Sequence, residues 1–390
     1  MARISGKSIK IVNTALSGVY LHIPFCRSRC SYCDFATEVY QNAESVERYV
    51  DALCKEISSP KPKIQNPTAI DSIYFGGGTP SLLTAKQIDR ILRTVRDEFS
   101  ITSNAEITIE INPATITLET VKSYLDSGIN RASFGVQTFD DKELKRLGRM
   151  HTALDARETC DLLREGGFTN ISFDLIAGLP NQTVADWERN LDEALKLQAE
   201  HLSLYLLEIE ESTPLAKHIR EGKQPLPDDD LAAEMYEMMF EKTSRAGFIQ
   251  YEISSFCLPD FEARHNSKYW TMDAVYGFGC SAHSFDGKNK RWSNERDTLK
   301  YVQMIDESSV AVVDTEIIDF ASEYAFLGMR LLRGIDLVEY KARFGENLLR
   351  KFAADIEDLL EKGLIEIDEN YLKLTTRGCL FSNEVFAVFV

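Results

Sequence analysis

The stretch YLHIPFCRSRCSYCDF, residues 20–35, decides the fold. YLHI reads as the end of a β-strand that stops at Pro24. Three cysteines follow on one loop, Cys26, Cys30 and Cys33, with three and two residues between them. Thiolates at that spacing can wrap one metal centre from a single loop. The position two residues past the last of them holds Phe35, so the loop offers no fourth thiolate. A structural zinc site takes four protein ligands, usually from two separated pairs. No second pair exists: Cys54 and Cys160 fall in helical patterns, and Cys257, Cys280 and Cys379 are scattered. His22 is the nearby alternative ligand, and its place in a strand is equally suited to packing. The sharper reading is a [4Fe–4S] cluster on three cysteines, with one iron open to a further ligand.

Working outward, β-rich runs recur: GVYLHI (18–23), DSIYF (71–75), AEITIEI (105–111), RASFGVQ (131–137), TNISFDL (169–175) and HLSLYLL (201–207). Between them lie helix-period segments, such as 45–58, 84–99, 118–128, 152–167 and 183–197. Several open on Thr or Ser as an N-cap, and some end at Gly. Six strand–helix alternations predict a parallel sheet with helices outside. Six units are two short of a closed eightfold barrel, so the expected fold is α/β, an open, partial (βα)6 barrel. In such barrels chemistry sits at the C-terminal strand ends. There the sequence places the cysteine loop, Gly76-Gly77-Gly78-Thr79-Pro80, Glu110 with Asn112, Gln137, Asp174 and Tyr205.

Residues 211–315 are less regular and carry a Met-rich helix, LAAEMYEMMFEKTSRAG, whose methionines read as core. From about 316 the pattern becomes three helices and a hairpin turning at 368–370, a winged-helix-like module. Its third helix carries Asp355, Glu357, Asp358 and Glu361, which favours packing or a protein partner over DNA. The expected organisation is 1–210 for the partial barrel, 211–315 for a barrel-completing segment and 316–390 for the C-terminal module.

The net charge of −17 argues against a nucleic-acid partner, which needs cationic groups to displace counterions. No apolar run approaches the roughly 20 residues that span a bilayer. MARISGKSIKIVN lacks the apolar stretch of a secretory signal. Eight cysteines without such a signal fit a reducing compartment, and the cytoplasm is expected. Peripheral docking to a membrane stays compatible with this composition.

The CxxxCxxC spacing after a first strand, followed by GGGTP after the second, resembles the radical S-adenosylmethionine (radical SAM) superfamily. That resemblance implies that the open iron chelates SAM, and that an electron from the cluster cleaves the sulfonium to a 5′-deoxyadenosyl radical. YFGGGTP, IEINP, SFGVQTFD, LGRMH, FDLIAGLP and LSLYLLEIEESTPL extend the likeness to the oxygen-independent coproporphyrinogen dehydrogenases and their relatives, over nearly the whole chain. It implies SAM contacts at Tyr20, Gly77, Gly78, Thr79, Glu110, Gln137, Arg149 and Asp174. A carboxylate such as Glu110 or Asp174 suits the ribose or the ammonium, and Arg149 suits the SAM carboxylate.

Two features separate branches of that family. The dehydrogenases carry a fourth cysteine where this chain has Phe35, and a longer segment before the first strand. RHNSKYW, residues 264–270, resembles the HNxxYW signature of the heme-chaperone branch. That likeness implies heme as a third cofactor, with His265 as its ligand, and acceptor hemoproteins as partners, membrane respiratory enzymes among them. Whether SAM is turned over is left open. The alternative is a radical SAM oxidoreductase of tetrapyrrole metabolism, either the coproporphyrinogen III dehydrogenase or a heme-modifying enzyme.

Overall fold

The computed structural model describes residues 16–59 and 69–389. The signal-sequence reading at 1–13 lies outside the described residues.

The six expected strands form: β1 (Ser17–Ile23), β2 (Ile70–Gly77), β3 (Ile101–Ile111), β4 (Arg131–Gln137), β5 (Ile171–Ala177) and β6 (His201–Leu206). They pair in parallel in chain order. Helices α1 (Ala43–Ser58), α2 (Ala85–Glu98), α3 (Leu118–Asp126), α4 (Asp141–Arg146), α5 (Ala153–Gly166) and α6 (Val184–Lys196) connect them. Thr84, Thr117, Thr152 and Thr183 cap α2, α3, α5 and α6 by accepting from backbone amides of the first turn. Gly167 ends α5 in the left-handed region that a Cβ disfavours.

Sequence periodicity explains which face points where. Val19, Leu21, Ile73, Phe75, Ile107, Ile109, Phe134, Phe173 and Leu202 belong to the main apolar core. The alternate positions are polar: Tyr20 and His22, Ser72 and Tyr74, Glu106 and Glu110, Arg131 and Gln137, Ser172 and Asp174, His201 and Ser203. A period of two puts them all on the opposite face, the concave interior of the partial barrel.

The sheet extends past the expected six strands. β7 (Ile249–Glu252) and β8 (Ser255–Cys257) add antiparallel beyond β6. On the other flank β9 (Val275–Phe278) pairs in parallel with β1, followed antiparallel by β10 (His283–Phe285), β11 (Lys290–Asn294) and β12 (Val312–Ile317). The Met-rich segment forms the helix Asp229–Arg245, with Met235 and Met239 buried in the core.

The C-terminal module has helices Phe320–Gly328 and Leu337–Phe344, then a third that breaks at Phe352 into Leu348–Lys351 and Ala353–Glu361. A three-stranded sheet of Ile335–Asp336, Tyr371–Leu374 and Ile365–Asp368 supplies the wing. Glu369 makes the predicted turn at positive φ. Two last helices, Thr376–Leu380 and Ser382–Phe386, follow the wing. The periodicity reading did not include them.

Candidate functional site

The cysteine loop leaves β1 at its C-terminal end and is tied down along its length. Gly78 and Thr79 donate their amides to the Ile23 and Phe25 carbonyls, both at 2.8 Å, which zips the GGGTP stretch to the start of the loop. Phe25–Cys26 pairs with Glu38–Val39 as a two-residue parallel rung that closes it. Ser31 donates to Leu147 O at 2.9 Å and accepts from the Leu215 amide at 2.8 Å, and Arg296 donates to Asp34 O at 2.9 Å. Phe35, in the place of a fourth cysteine, is 69% exposed.

The glycines of the second strand end are required sterically. A Cβ on Gly77, whose φ is +110°, would stand 2.6 Å from the His22 ring, and one on Gly78 would stand 2.8 Å from the Phe25 carbonyl oxygen. His22 itself is used up. Its Nε2 donates to Ala36 O at 2.8 Å, so its Nδ1 accepts from the Tyr20 hydroxyl at 3.1 Å. Burial lowers its pKa to about 4, and it packs as a neutral ring.

One cavity of about 890 Å³ gathers Cys26, Cys30, Cys33, Gly77, Gly78, Thr79, Glu110, Gln137, Arg149 and Asp174 on its wall. These expected residues, more than 140 positions apart at the extremes, are brought together because each ends a neighbouring strand. Tyr20 and His265 are not on that wall.

Arg149 is the hub of the cysteine end. It donates to Cys30 Sγ at 3.7 Å, to Gly135 O at 2.5 Å and to Asn112 Oδ1. His151 orients it, accepting from Arg149 Nε at 3.4 Å and donating to Val136 O at 3.2 Å. Thr79 Oγ1 donates to Cys26 Sγ at 3.6 Å. Gln137 holds φ at +68° where the β4–β5 register shifts, a bulge that turns its side chain to the cavity. Burial pushes the Cys26 thiol up to about 11, against the Thr79 hydrogen bond, and raises Cys33 too. Cys26 and Cys33 are costly to hold here as anions without a cation beside them. Iron supplies that cation, so the donor set fits an iron–sulfur cluster.

The carboxylates line the barrel interior beside it. Glu110 accepts from the Tyr74 hydroxyl at 2.7 Å and from the Gly77 amide at 3.1 Å. Burial pushes it up to about 7; those two donors oppose the shift, and Asp174 adds to it. Burial pushes Asp174 up to about 6, opposed by the Ser203 hydroxyl and by Arg131 and Arg149. Both groups sit near the point of ionisation. A cationic ligand would favour their charged forms.

The structure departs from the sequence expectation at His265. The residue is 1% exposed. Its Nδ1 is 3.1 Å from the Ser72 hydroxyl and its Nε2 3.2 Å from the Tyr269 hydroxyl. Its ring stacks between Tyr74 and Tyr20, with centroids 5.1 and 6.2 Å away. Burial pushes its pKa down to about 3. With both ring nitrogens bonded inside the barrel floor, it offers no lone pair to an iron in this conformation. The physical reason is helix phase: in Arg264–Thr271, His265 turns inward while Asn266 faces the cavity.

Sequence reasoning missed several wall residues. Tyr74, Arg131 and Ser133 share strand parity with expected residues, and that signal was there to be read. Arg330, Cys379, Ser382 and Asn383 carry no local signal, because folding of the C-terminal module alone brings them to the cavity.

Residues 20–194 match the radical SAM superfamily model, and residues 318–381 match the HemN C-terminal domain. The heme chaperone HemW of Bacillus subtilis is 36% identical over 379 residues, covering 96% of this chain and 99% of that protein. Escherichia coli HemW is 32% identical over 380 residues, covering 95% of this chain and 97% of its own. Among solved structures, the coproporphyrinogen III oxidase HemN from Escherichia coli superposes with a TM-score of 0.84 at 24% identity, covering 96% of this chain and 90% of that one. That likeness establishes the fold alone. It bears out the partial barrel with its C-terminal module.

Proposed function

The chain belongs to the HemW family of radical SAM proteins, and from that membership we propose that it is a heme chaperone. In this reading it binds a [4Fe–4S] cluster, SAM and heme, and delivers heme to hemoproteins. The observation that carries the cofactor part is the single cavity on which the three cluster thiols, the glycine turn and the paired carboxylates converge. Cys26, Cys30 and Cys33 hold the cluster. Gly77, Gly78, Thr79, Glu110, Gln137, Arg149 and Asp174 receive SAM, and Tyr20 supports them from behind through His22 and Tyr74. When bound, the cluster supplies an electron and an open iron for SAM.

The chain's own residues set the conditions. Gly77 and Gly78 let the backbone approach the ligand, because neither carries a Cβ. Glu110 and Asp174 present carboxylates whose ionisation a cationic ligand favours. Arg149, fixed by Asn112, Gly135 and His151, offers a guanidinium beside Cys30 to a ligand carboxylate.

Heme is bound by the protein in this reading, with His265, hydrogen-bonded at both ring nitrogens to Ser72 and Tyr269, in the floor of the site. The acceptors in this reading are hemoproteins that include respiratory membrane enzymes, met by peripheral contact. Among the described residues no helix is long and apolar enough to cross a membrane. The thiol-rich cluster loop needs a reducing compartment, and we place the protein in the cytoplasm.

The test is anaerobic reconstitution of the full chain, titration with heme and with SAM, and an assay of coproporphyrinogen III decarboxylation in parallel. Saturable heme binding and transfer to an apo-hemoprotein, without decarboxylation, are expected. Decarboxylation coupled to SAM consumption would replace the chaperone with the oxidoreductase.

A further inference from the structure

The cavity has a second side, which the cofactor assignment leaves unused. The cysteine loop stands at the C-terminal ends of the strands. The helix Arg264–Thr271 stands at their N-terminal ends: the Arg264 and His265 amides donate to Glu106, and Lys268 donates to Leu16 O just before β1. Arg330 lies on another side of the cavity: Leu331 bridges Glu252 in β7, the edge strand four places across the sheet from β4, which carries the Arg149 partner Gly135. At about 4.8 Å per strand that is roughly 15–20 Å. Asn266, Arg330, Cys379, Ser382 and Asn383 belong to the same cavity wall.

Arg330 dominates that side. Its guanidinium carbon lies 4.3 Å from the centroid of the Trp270 ring and 5.8 Å from that of Phe386. Its ion pair with the buried Glu252 carboxylate is long, 3.6 Å, and its Nε is buried without a hydrogen-bond partner. The group is held in place by stacking while donor capacity is left over. Asn266, Ser382 and Asn383 line the same cavity with neutral donors. A stacked guanidinium with spare donors, walled by an indole, in a cavity that also carries amides and a hydroxyl, is a seat for a carboxylate.

We propose that Arg330, supported by Trp270 and Glu252 and flanked by Asn266, Ser382 and Asn383, binds a propionate carboxylate of the tetrapyrrole. This rests on the heme reading above and names the group that recognises the heme edge. SAM also carries a carboxylate. In the cofactor reading above Arg149, beside Cys30, would take the SAM carboxylate, which leaves Arg330 to the tetrapyrrole.

The experiment titrates the reconstituted full chain with hemin, with hemin dimethyl ester, whose carboxylates are masked, and with SAM. Wild type is expected to bind hemin about tenfold or more tighter than the ester, the worth of one charge-assisted contact. Arg330→Gln is expected to lose that preference to within about twofold while keeping its SAM affinity, since neutral donors remain. Asn383→Ala is expected to reduce the preference partially. Equal binding of hemin and ester by wild type overturns the proposal without relying on any variant's folding. So does a loss of SAM affinity in Arg330→Gln with the hemin preference intact. Failure of wild type to bind either porphyrin overturns the heme reading itself, and is distinct from binding both without preference.

Discussion

The imidazole of His265 lies against the phenol ring of Tyr74, with centroids 5.1 Å apart and planes inclined by 25°. Tyr74 in turn donates to Glu110 at 2.7 Å. The motif histidine therefore forms the floor under a cavity carboxylate and stands outside the cavity wall.

Replacing His265 by Ala should cost stability and spare heme. The change opens a buried space, strips two hydroxyls of their partner and removes the floor under Tyr74, a loss of roughly 2–4 kcal/mol. Heme titration of the variant below its melting range should reproduce the wild-type Soret band. A stable variant with an altered Soret band would restore the ligand role.

The same residue gives a pH signature. Folded His265 stays neutral down to about pH 3, whereas an unfolded histidine protonates near 6.5. Between those values the unfolded state binds a proton that the folded state refuses, so this contribution is full above about pH 6.5 and is lost as pH falls. In the middle of that window wild type should lose stability faster than His265→Gln by about 1.4 kcal/mol per pH unit. Parallel denaturation curves across pH 4–6, a range chosen as roughly mid-window, would contradict the burial argument.

SAM affinity should titrate with Glu110. In the free protein this carboxyl ionises near pH 7, and Asp174 near 6. A cationic ligand prefers the ionised form, so affinity should rise as pH increases through 7 and level off above it. Glu110→Gln should bind SAM more weakly and flatten the upper part of that profile. Isothermal titration at several pH values checks both.

Gly77→Ala should damage the site through the backbone. The new methyl would meet the His22 ring at 2.6 Å in a conformation with φ at +110°. The strain is on the order of 1–3 kcal/mol. The accompanying shift should weaken SAM binding more than Gly222→Ala, which carries its own backbone strain at φ +70° but whose added Cβ meets nothing within 4 Å and which is not on the cavity wall.

Cluster loading should follow the loop and no other cysteine. Cys26→Ser, Cys30→Ser or Cys33→Ser should each lower bound iron and labile sulfide after reconstitution. Cys280→Ser should leave them unchanged, because that thiol is buried against the Tyr49 hydroxyl at 3.7 Å. Iron and sulfide assays on the four variants decide it.

Much of the scaffold was legible in one dimension. Strand alternation in SIYF, EITIEI and RASFGVQ announced both the strands and the polar interior, because parity along a strand is a local property. The cysteine loop and GGGTP were legible for a similar reason: spacing along a loop and freedom from a Cβ are written residue by residue. The break at Phe352 and the two last helices escaped, because short helices are fixed by what they pack on more than by their own pattern.

By itself the sequence determined the partial barrel, the three-thiol loop and the set of strand-end residues that share a cavity. Only the tertiary structure decided that His265 turns inward onto Ser72 and Tyr269 while Asn266 faces the ligand space. It alone set Arg330 against Trp270, some 60 residues away in the chain. The rotational phase of a helix and the docking of a distant module are settled by packing, and packing has no signature in the local order of residues.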